Sequence, residues 1–309
     1  MVMSIAEDAR VRMLVAAHVR RLSNSATLTS EDLLAGVEID GQRLPIVDPR
    51  RGIFKPRQMR YLLSIKTTYP GRSGRIWYED QTQVHAQIEA GEEIVDYSFQ
   101  GTDPKKHTNQ WLLQAKEEQV PILYFLGIAP ARYTVHYPTF VAEWDPAGLK
   151  AGIIFGAPLA AGETSSPPDA AERRYAMRTV RQRLHQARFR EAVLSAYGNR
   201  CAISRLPEPR LLDAAHIIGD AQDDGIPIVP NGLPLSKIHH AAFDANLIGI
   251  DPDFRIHVSD KLLSINDGPI FEQGVKLKNG EKIELPRRLE DWPDRDRLAA
   301  RFDVFRALA

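Results

Sequence analysis

Residues 211–246 constrain the fold of this chain more than any other segment. They combine an apolar run, a turn-rich loop and a helical pattern. The run RLLDAAHII predicts a strand, DAQDDGIPIVPNGLPL a loop, and LSKIHHAAFDAN a helix that begins near Ser236. Four side chains that often serve in active sites lie within 25 residues: His216, Asn231, His239 and His240. Two interpretations are open: a polar loop satisfied by its own hydrogen bonds, or a metal-dependent active site.

The residue types of this segment suit the hydrolysis of a phosphodiester. A histidine with an ordinary pKa near 6.5 can accept a proton from water at neutral pH. A histidine and a carboxylate can together hold a divalent cation, which stabilises the negative charge on the leaving oxygen. An asparagine amide can fix a loop and hold a neighbouring histidine in orientation. Strand, loop and helix carrying His, Asn and His in this order resemble the plan of a ββα-metal nuclease site.

The stretch AAHI…NGLPLSKIHHAAFD, with NRCAISRLPEPRLLDAAHI at its start, resembles the HNH endonucleases. The resemblance covers about residues 175–260. It implies that His216 is the general base, that Asn231 fixes the loop, and that His240 is a metal ligand on the helix.

One position departs from the family pattern. Many members carry a metal-binding Asp or His immediately before the base, where this chain has Ala215. Asp213 lies two residues earlier, on the same face of an ideal strand, and is the candidate for the missing carboxylate, with Asp244 in reserve. His239 is expected to point outward or to neighbour the site without binding the metal.

The resemblance also implies the cofactor, one divalent cation per site, Mg²⁺ or Mn²⁺. The zinc-knuckle subtype of the family has paired CxxC motifs. This chain has a single cysteine, Cys201, so no structural zinc is expected and Cys201 is predicted to be a core residue.

The rest of the chain predicts an α+β protein of two domains. Helices are expected at residues 4–23 and 31–36, the second preceded by the capping residues Thr29 and Ser30. Short β-branched and aromatic runs over residues 38–158, with one inserted helix at 104–118, predict a curved sheet or small barrel. The predicted domains are residues 1–158, a linker at 159–172, and residues 173–309, which begin with an arginine-rich helix and end in a helical tail.

The N-terminal domain is similar to the SRA branch of the PUA-like fold. The similarity rests on YED, a following histidine, YSFQG, NQWL and VPI. It implies a pocket that flips a modified cytosine out of duplex DNA, with an aromatic side chain on each face of the base and an acceptor for its amine. The candidate pocket residues are Tyr78 with Tyr97 or Phe99 for the faces, Asp80 as acceptor, and the backbone of residues 98–101. The alternative is that these aromatic residues alternate along strands and pack in a core.

Charge gives a weaker signal. The formal net charge is zero, which argues against a protein that coats nucleic acid indiscriminately. Residues 173–200 nevertheless contain eight arginines and one glutamate, and residues 50–67 form a second basic segment. The candidate phosphate contacts in these two segments are Lys55, Arg57, Arg181 and Arg188. Solvated helix and strand faces are the alternative.

An SRA-like domain followed by an HNH domain resembles the modification-dependent, type IV-like restriction endonucleases. The order implies an enzyme that recognises 5-methylcytosine or 5-hydroxymethylcytosine in double-stranded DNA and cuts both strands as a homodimer. The alternatives are an HNH endonuclease with another specificity, and a modified-DNA reader with an inactive HNH domain. No membrane span or signal peptide is expected, and a cytoplasmic location is the default.

Overall fold

The computed structural model describes residues 2–23, 27–69, 80–157, 166–220, 222, 224–266 and 268–308, with the backbone alone at 80–82. They form two compact units, Met1–Leu184 and His185–Ala309. The division falls inside a helix, Ala170–Ala196. The predicted linker at 159–172 lies partly outside the described residues, and its last three residues belong to this helix.

The N-terminal unit combines helices with short strands. Its described helices are α1 (Ile5–Ser23), α2 (Ser30–Ala35), α3 (Asp80–Ala90), α4 (His107–Glu117) and the start of α5 (Ala170–Ala196). Its described strands are β1 (Leu28–Thr29), β2 (Val37–Ile39), β3 (Gln42–Leu44), β4 (Ile53–Phe54), β5 (Ser64–Thr67), β6 (Val95–Ser98), β7 (Ile122–Ala129), β8 (Arg132–Asp145) and β9 (Lys150–Phe155).

Seven of the described strands form one sheet in the order β4-β5-β7-β8-β9-β6, with β1 paired to β8. Strands β5 and β7 are parallel, and the other pairs of this sheet are antiparallel. Register shifts interrupt β7–β8 twice and β8–β9 once. Because an extra residue on one strand bends it and increases its twist, the sheet curls into a half-barrel. The predicted α+β class with a curved N-terminal sheet is confirmed.

Helix α1 packs on this sheet, as its apolar spacing predicts. Val11, Val15 and Val19, each four residues from the next, are buried in one cluster with Leu123 and Phe125 of β7. Strand β7 has the sequence ILYFLGIA and is buried on both faces along almost its whole length. The predicted helix at residues 4–23 is confirmed.

A buried ion pair fixes the position of α1. The side chains of Asp8 and Arg12 are each 2% exposed and lie 2.7 Å apart. Arg12 also donates to the Leu62 carbonyl, and Asp8 accepts from the backbone N–H groups of Arg60 and Tyr61. Because each charge has several hydrogen-bond partners, its burial is tolerated.

Helices α2 and α3 bear on two expectations from the sequence. Thr29 caps α2 in a capping box with Asp32, so the predicted cap is confirmed. The prediction of a single inserted helix in residues 38–158 is wrong, because α3 is a second one. Val84 and Ile88, one helical turn apart, are fully buried among mostly polar neighbours and give little sequence signal.

The C-terminal unit contains short strands and helices after the end of α5. They are β10 (Leu212–His216), β11 (Gly232–Ser236), α6 (Lys237–Asp244), β12 (Ile248–Ile250), β13 (Ile256–Val258), α7 (Asp260–Leu263), α8 (Pro269–Gly274) and α9 (Arg295–Leu308). Strands β10 and β11 pair antiparallel, as do β12 and β13. Their apolar side chains share one core with Phe243 of α6 and Leu298 of α9. The predicted C-terminal helix is confirmed. Within the described ranges, none of the helices has the length and apolar character needed to cross a membrane.

Candidate active site

The hairpin β10–β11 and helix α6 form the candidate site. The antiparallel register pairs His216 with Gly232 and Asp213 with Leu235. Strand β11 continues directly into α6, where the Ser236 side chain accepts a hydrogen bond from the backbone N–H of His239 at the first turn. The predicted helix capped by Ser236 and the strand ending at His216 are confirmed. The prediction of a loop at residues 232–235 is wrong, because these residues pair with β10 as strand β11.

Asn231 lies at the end of the loop and is fully buried. Its Oδ1 accepts from the Ile218 N–H at 2.9 Å, and its Nδ2 donates to the carbonyls of Ile218 (3.1 Å) and Ile226 (3.0 Å). Its backbone carbonyl accepts from the Ile217 N–H, next to His216. These are the contacts that the predicted loop-fixing residue requires.

His216 is half-buried at the end of β10. Its ring stacks on that of Phe189 from α5, with ring centroids 4.1 Å apart and an interplanar angle of 16°. The Nε2 atom is buried and has no hydrogen-bond partner among the described residues. Burial lowers the pKa of His216 below its ordinary value, so the ring is neutral at pH 7 and can accept a proton.

His240 lies on α6 between two carboxylates. Its Nδ1 is 3.5 Å from Asp213 Oδ2, and its Nε2 is 3.2 Å from Asp244 Oδ2. The hydrogen bond with Asp213 raises the pKa of His240 and lowers the pKa of Asp213. The two aspartates that the sequence offered as metal ligands therefore both contact the same imidazole, one at each ring nitrogen.

Ala215 is fully buried in the core of the unit, so no polar group replaces the ligand that many HNH sequences carry at this position. Asp213 remains accessible, and the ammonium of Lys237 lies 3.2 Å from its Oδ1. Lys237 stands one residue into α6, and sequence reasoning did not single it out.

His239 is buried. Of the two expectations for it, an outward orientation is therefore wrong. Its Nδ1 lies 2.8 Å from Ser236 Oγ and its Nε2 lies 2.8 Å from the carbonyl of Gly274. Its Nδ1 also lies 3.6 Å from Cys201 Sγ, and Cys201 is fully buried, as predicted. Burial raises the pKa of the Cys201 thiol, but hydrogen bonds from His239 and Ser204 and from backbone N–H groups outweigh it and bring the pKa to about 6. His239 and Cys201 therefore help to hold the start of α6 in place.

The donors present fit a divalent cation with an incomplete protein shell. Asp213 Oδ2 and His240 Nδ1 lie 3.5 Å apart, a separation that fits two ligands of one cation with bonds of about 2.1 Å. A carboxylate and an imidazole suit Mg²⁺, Mn²⁺ and later divalent ions. In the described part of the chain, no group of three or more His, Cys, Asp or Glu side chains is arranged to hold a metal. The other coordination positions would therefore fall to water and substrate oxygens.

Comparison with known proteins assigns this segment. Residues 201–251 match the HNH endonuclease family. The match spans about a sixth of the chain and includes β10, the loop, β11 and α6. It confirms the predicted HNH endonuclease domain and, with it, the predicted enzyme class.

A solved structure of the modification-dependent TagI restriction endonuclease is similar over 91% of each chain, with 12% sequence identity and a TM-score of 0.31. This similarity is too low to establish a shared fold. No curated relative matches the sequence.

Outside the HNH domain, the structure places two candidate pocket residues in the core. Tyr97 on β6 is 4% exposed, and its ring meets that of Tyr124 edge-on at 6.0 Å. Phe99 is 2% exposed and packs on Trp144, with ring centroids 4.2 Å apart. Neither ring offers a free face to a base. Both residues lie in the core, which is the alternative that alternation along the strands left open.

The other pocket candidates cannot be placed in the same way. Tyr78 lies outside the described residues, and Asp80 is the first residue of α3, with its side chain outside them. The backbone at residues 98–101 is described. The side chain of Asn109 holds it there through bonds to both the N–H and the carbonyl of Gln100.

The four candidate phosphate contacts differ in exposure. Arg57 and Arg181 are exposed and make no ion pair with any described residue. Lys55 is half-buried, donates to the Met59 carbonyl at 3.1 Å, and lies over the ring of Trp111. Arg188 is half-buried as well. Arg57 and Arg181 are thus the members of the set best placed to meet a phosphate.

Proposed function

We propose that the chain is an endonuclease that hydrolyses DNA phosphodiester bonds at the site formed by β10, β11 and α6. The observation that carries the proposal is one arrangement within the HNH domain. A neutral histidine stands at the end of the hairpin, and a histidine–carboxylate pair stands on the adjacent helix. This combination supplies both a proton acceptor and a place for a cation, which phosphodiester hydrolysis needs.

His216 is the proposed general base. Its burial keeps the ring neutral at physiological pH, so it can take the proton from an attacking water. Asn231 holds residues 217 and 218 through backbone and side-chain bonds and so fixes the position of the base. Asp213 and His240 are the proposed ligands of one divalent cation, Mg²⁺ or Mn²⁺, which when bound would stabilise the charge on the leaving oxygen. His240 must be neutral to bind it, so its bond to Asp213 must then give way to the cation.

We further propose that the N-terminal unit recognises modified cytosine, 5-methylcytosine or 5-hydroxymethylcytosine, in double-stranded DNA. Its curled sheet is the architecture that the SRA resemblance implied. Because Tyr97 and Phe99 are buried, the proposed base pocket relies on Tyr78 and Asp80 and on the backbone at residues 98–101. The homodimer expected from the resemblance is part of this proposal, since one HNH site cuts one strand.

A second candidate is a modified-DNA reader whose HNH domain is inactive. Ala215 supports it, because the position before the base holds no ligand and no three of the described donors are arranged to hold a metal.

One experiment tests these proposals together. The full chain is incubated with Mg²⁺ or Mn²⁺ and with cytosine-methylated or unmethylated plasmid, with a chelator as the control. Metal-dependent cutting of methylated plasmid alone is the expected result. Equal cutting of both plasmids would contradict modification dependence, and binding of methylated DNA without cutting would favour the inactive reader.

A further inference from the structure

Phe189 belongs to α5 and lies outside the residues that match the HNH family. It is 4% exposed and stacks on His216, with a centroid distance of 4.1 Å and nearly parallel planes. Among the described residues, no hydrogen bond of the His216 ring orients it. Stacking on Phe189 is therefore the contact that sets the plane of this ring.

The hairpin makes room for this contact at one position. Gly232 is the β-ladder partner of His216, and its backbone is extended, so glycine is not needed there for its φ angle. A Cβ atom at Gly232 would lie 2.8 Å from Phe189 Cζ and 2.4 Å from Val193 Cγ2. Both distances are too short for real contacts. Glycine is thus required because the helix approaches the hairpin so closely.

A second contact holds α5 in this place. The guanidinium of Arg190, next to Phe189, donates to the carbonyls of Pro209 (2.7 Å) and Leu212 (3.0 Å). Leu212 is the first residue of β10, the strand that ends at His216. The same helical turn therefore binds the start of the strand through Arg190 and contacts its end through Phe189.

We propose that Phe189 is a positioning residue that holds the imidazole of His216 in the orientation required of the general base. The inference rests on the proposed function. The Nε2 atom is enclosed without a partner among the described residues, so we infer that Nδ1 is the nitrogen that faces the attacking water. A ring held in this way presents one nitrogen to the site, and a ring free to rotate about its χ angles would not.

The test compares Phe189→Leu with Val193→Ala. Leucine keeps an apolar side chain but removes the flat ring. Val193 is fully buried on the same helix, one turn on, and serves as a matched cavity control. With methylated plasmid and metal, we expect Phe189→Leu to lower the cleavage rate at saturating DNA by about tenfold to a hundredfold, with KM unchanged. Val193→Ala should lower thermal stability without slowing cleavage.

A second readout needs no cleavage. Carbon-13 NMR relaxation spectra of the metal-free chain should show the His216 ring as rigid as the backbone around it, and a more mobile ring in Phe189→Leu. These spectra test the contact even if the native chain cuts no DNA, an outcome that would refute the proposed function instead. An equally rigid His216 ring in Phe189→Leu, an unchanged cleavage rate, or equal slowing by Val193→Ala would each overturn the positioning role.

Discussion

Asn231→Ala is the substitution whose effect on the free energy of unfolding follows most directly from the structure. The side chain is fully buried and makes three hydrogen bonds, two with Ile218 and one with Ile226. At a net contribution of about 1 kcal/mol each, their loss lowers the free energy of unfolding by about 3 kcal/mol. Native-state hydrogen exchange at the Ile218 amide, which donates to Asn231, reports this loss locally as exchange that is faster by a factor of about 100.

The matched control is Asn279→Ala. Asn279 is exposed, belongs to the same unit, and accepts one hydrogen bond from the backbone N–H of Val258 at 2.9 Å. Its replacement should cost about 1 kcal/mol and leave the Ile218 amide protected. If Asn231→Ala cost no more than Asn279→Ala, the loop would be held by something other than this side chain.

The remaining predictions concern metal, pH and DNA. Asp213→Asn should abolish the binding of Mn²⁺, measured by calorimetry. Asp244→Asn removes the second carboxylate beside His240 and should weaken Mn²⁺ binding about 10- to 100-fold. Native Mn²⁺ affinity in Asp213→Asn would exclude Asp213 as a ligand. His136 is buried, and its burial and the charge of Arg183 lower its pKa to about 3. Its ring therefore stays neutral in the folded state, whereas in the unfolded chain it takes up a proton below about pH 6.5. Its stabilisation is complete above that pH and should fall by up to about 1.4 kcal/mol per pH unit towards pH 3, and an unchanged slope in His136→Gln unfolding titrations would contradict this. Arg181→Ala should reduce the salt dependence of DNA binding, d log K/d log[salt], by about one, and an unaltered slope would remove Arg181 from the interface.

Local sequence patterns predicted the elements of the candidate active site because these elements follow one another directly along the chain. An apolar run ending in His216, a turn-rich stretch containing Asn231 and a helix capped by Ser236 each have a local signature, and the structure shows all three. The strand at Gly232–Ser236 was missed because its Asn-Gly and Pro residues are typical of a loop. The family resemblance pointed to His240, and the alternation of side chains along a strand pointed to Asp213 in place of Ala215. The structure brings the two side chains together.

Contacts between distant elements could not be predicted in this way. Alternation placed Tyr97 and Phe99 on one face of a strand, but it does not show that Tyr124 and Trp144 cover that face. Phe189 is one apolar residue in an arginine-rich run, and nothing local relates it to His216. The position of such residues depends on packing between elements far apart in sequence.

The central claim is that His216 accepts the proton in DNA cleavage. The most direct test measures cleavage of methylated plasmid by His216→Ala at saturating metal, together with its DNA affinity in metal-free buffer. Cleavage should be lost and affinity should be nearly native, because the ring is not needed to bind DNA. Cleavage by His216→Ala at the native rate would contradict the assignment of the base.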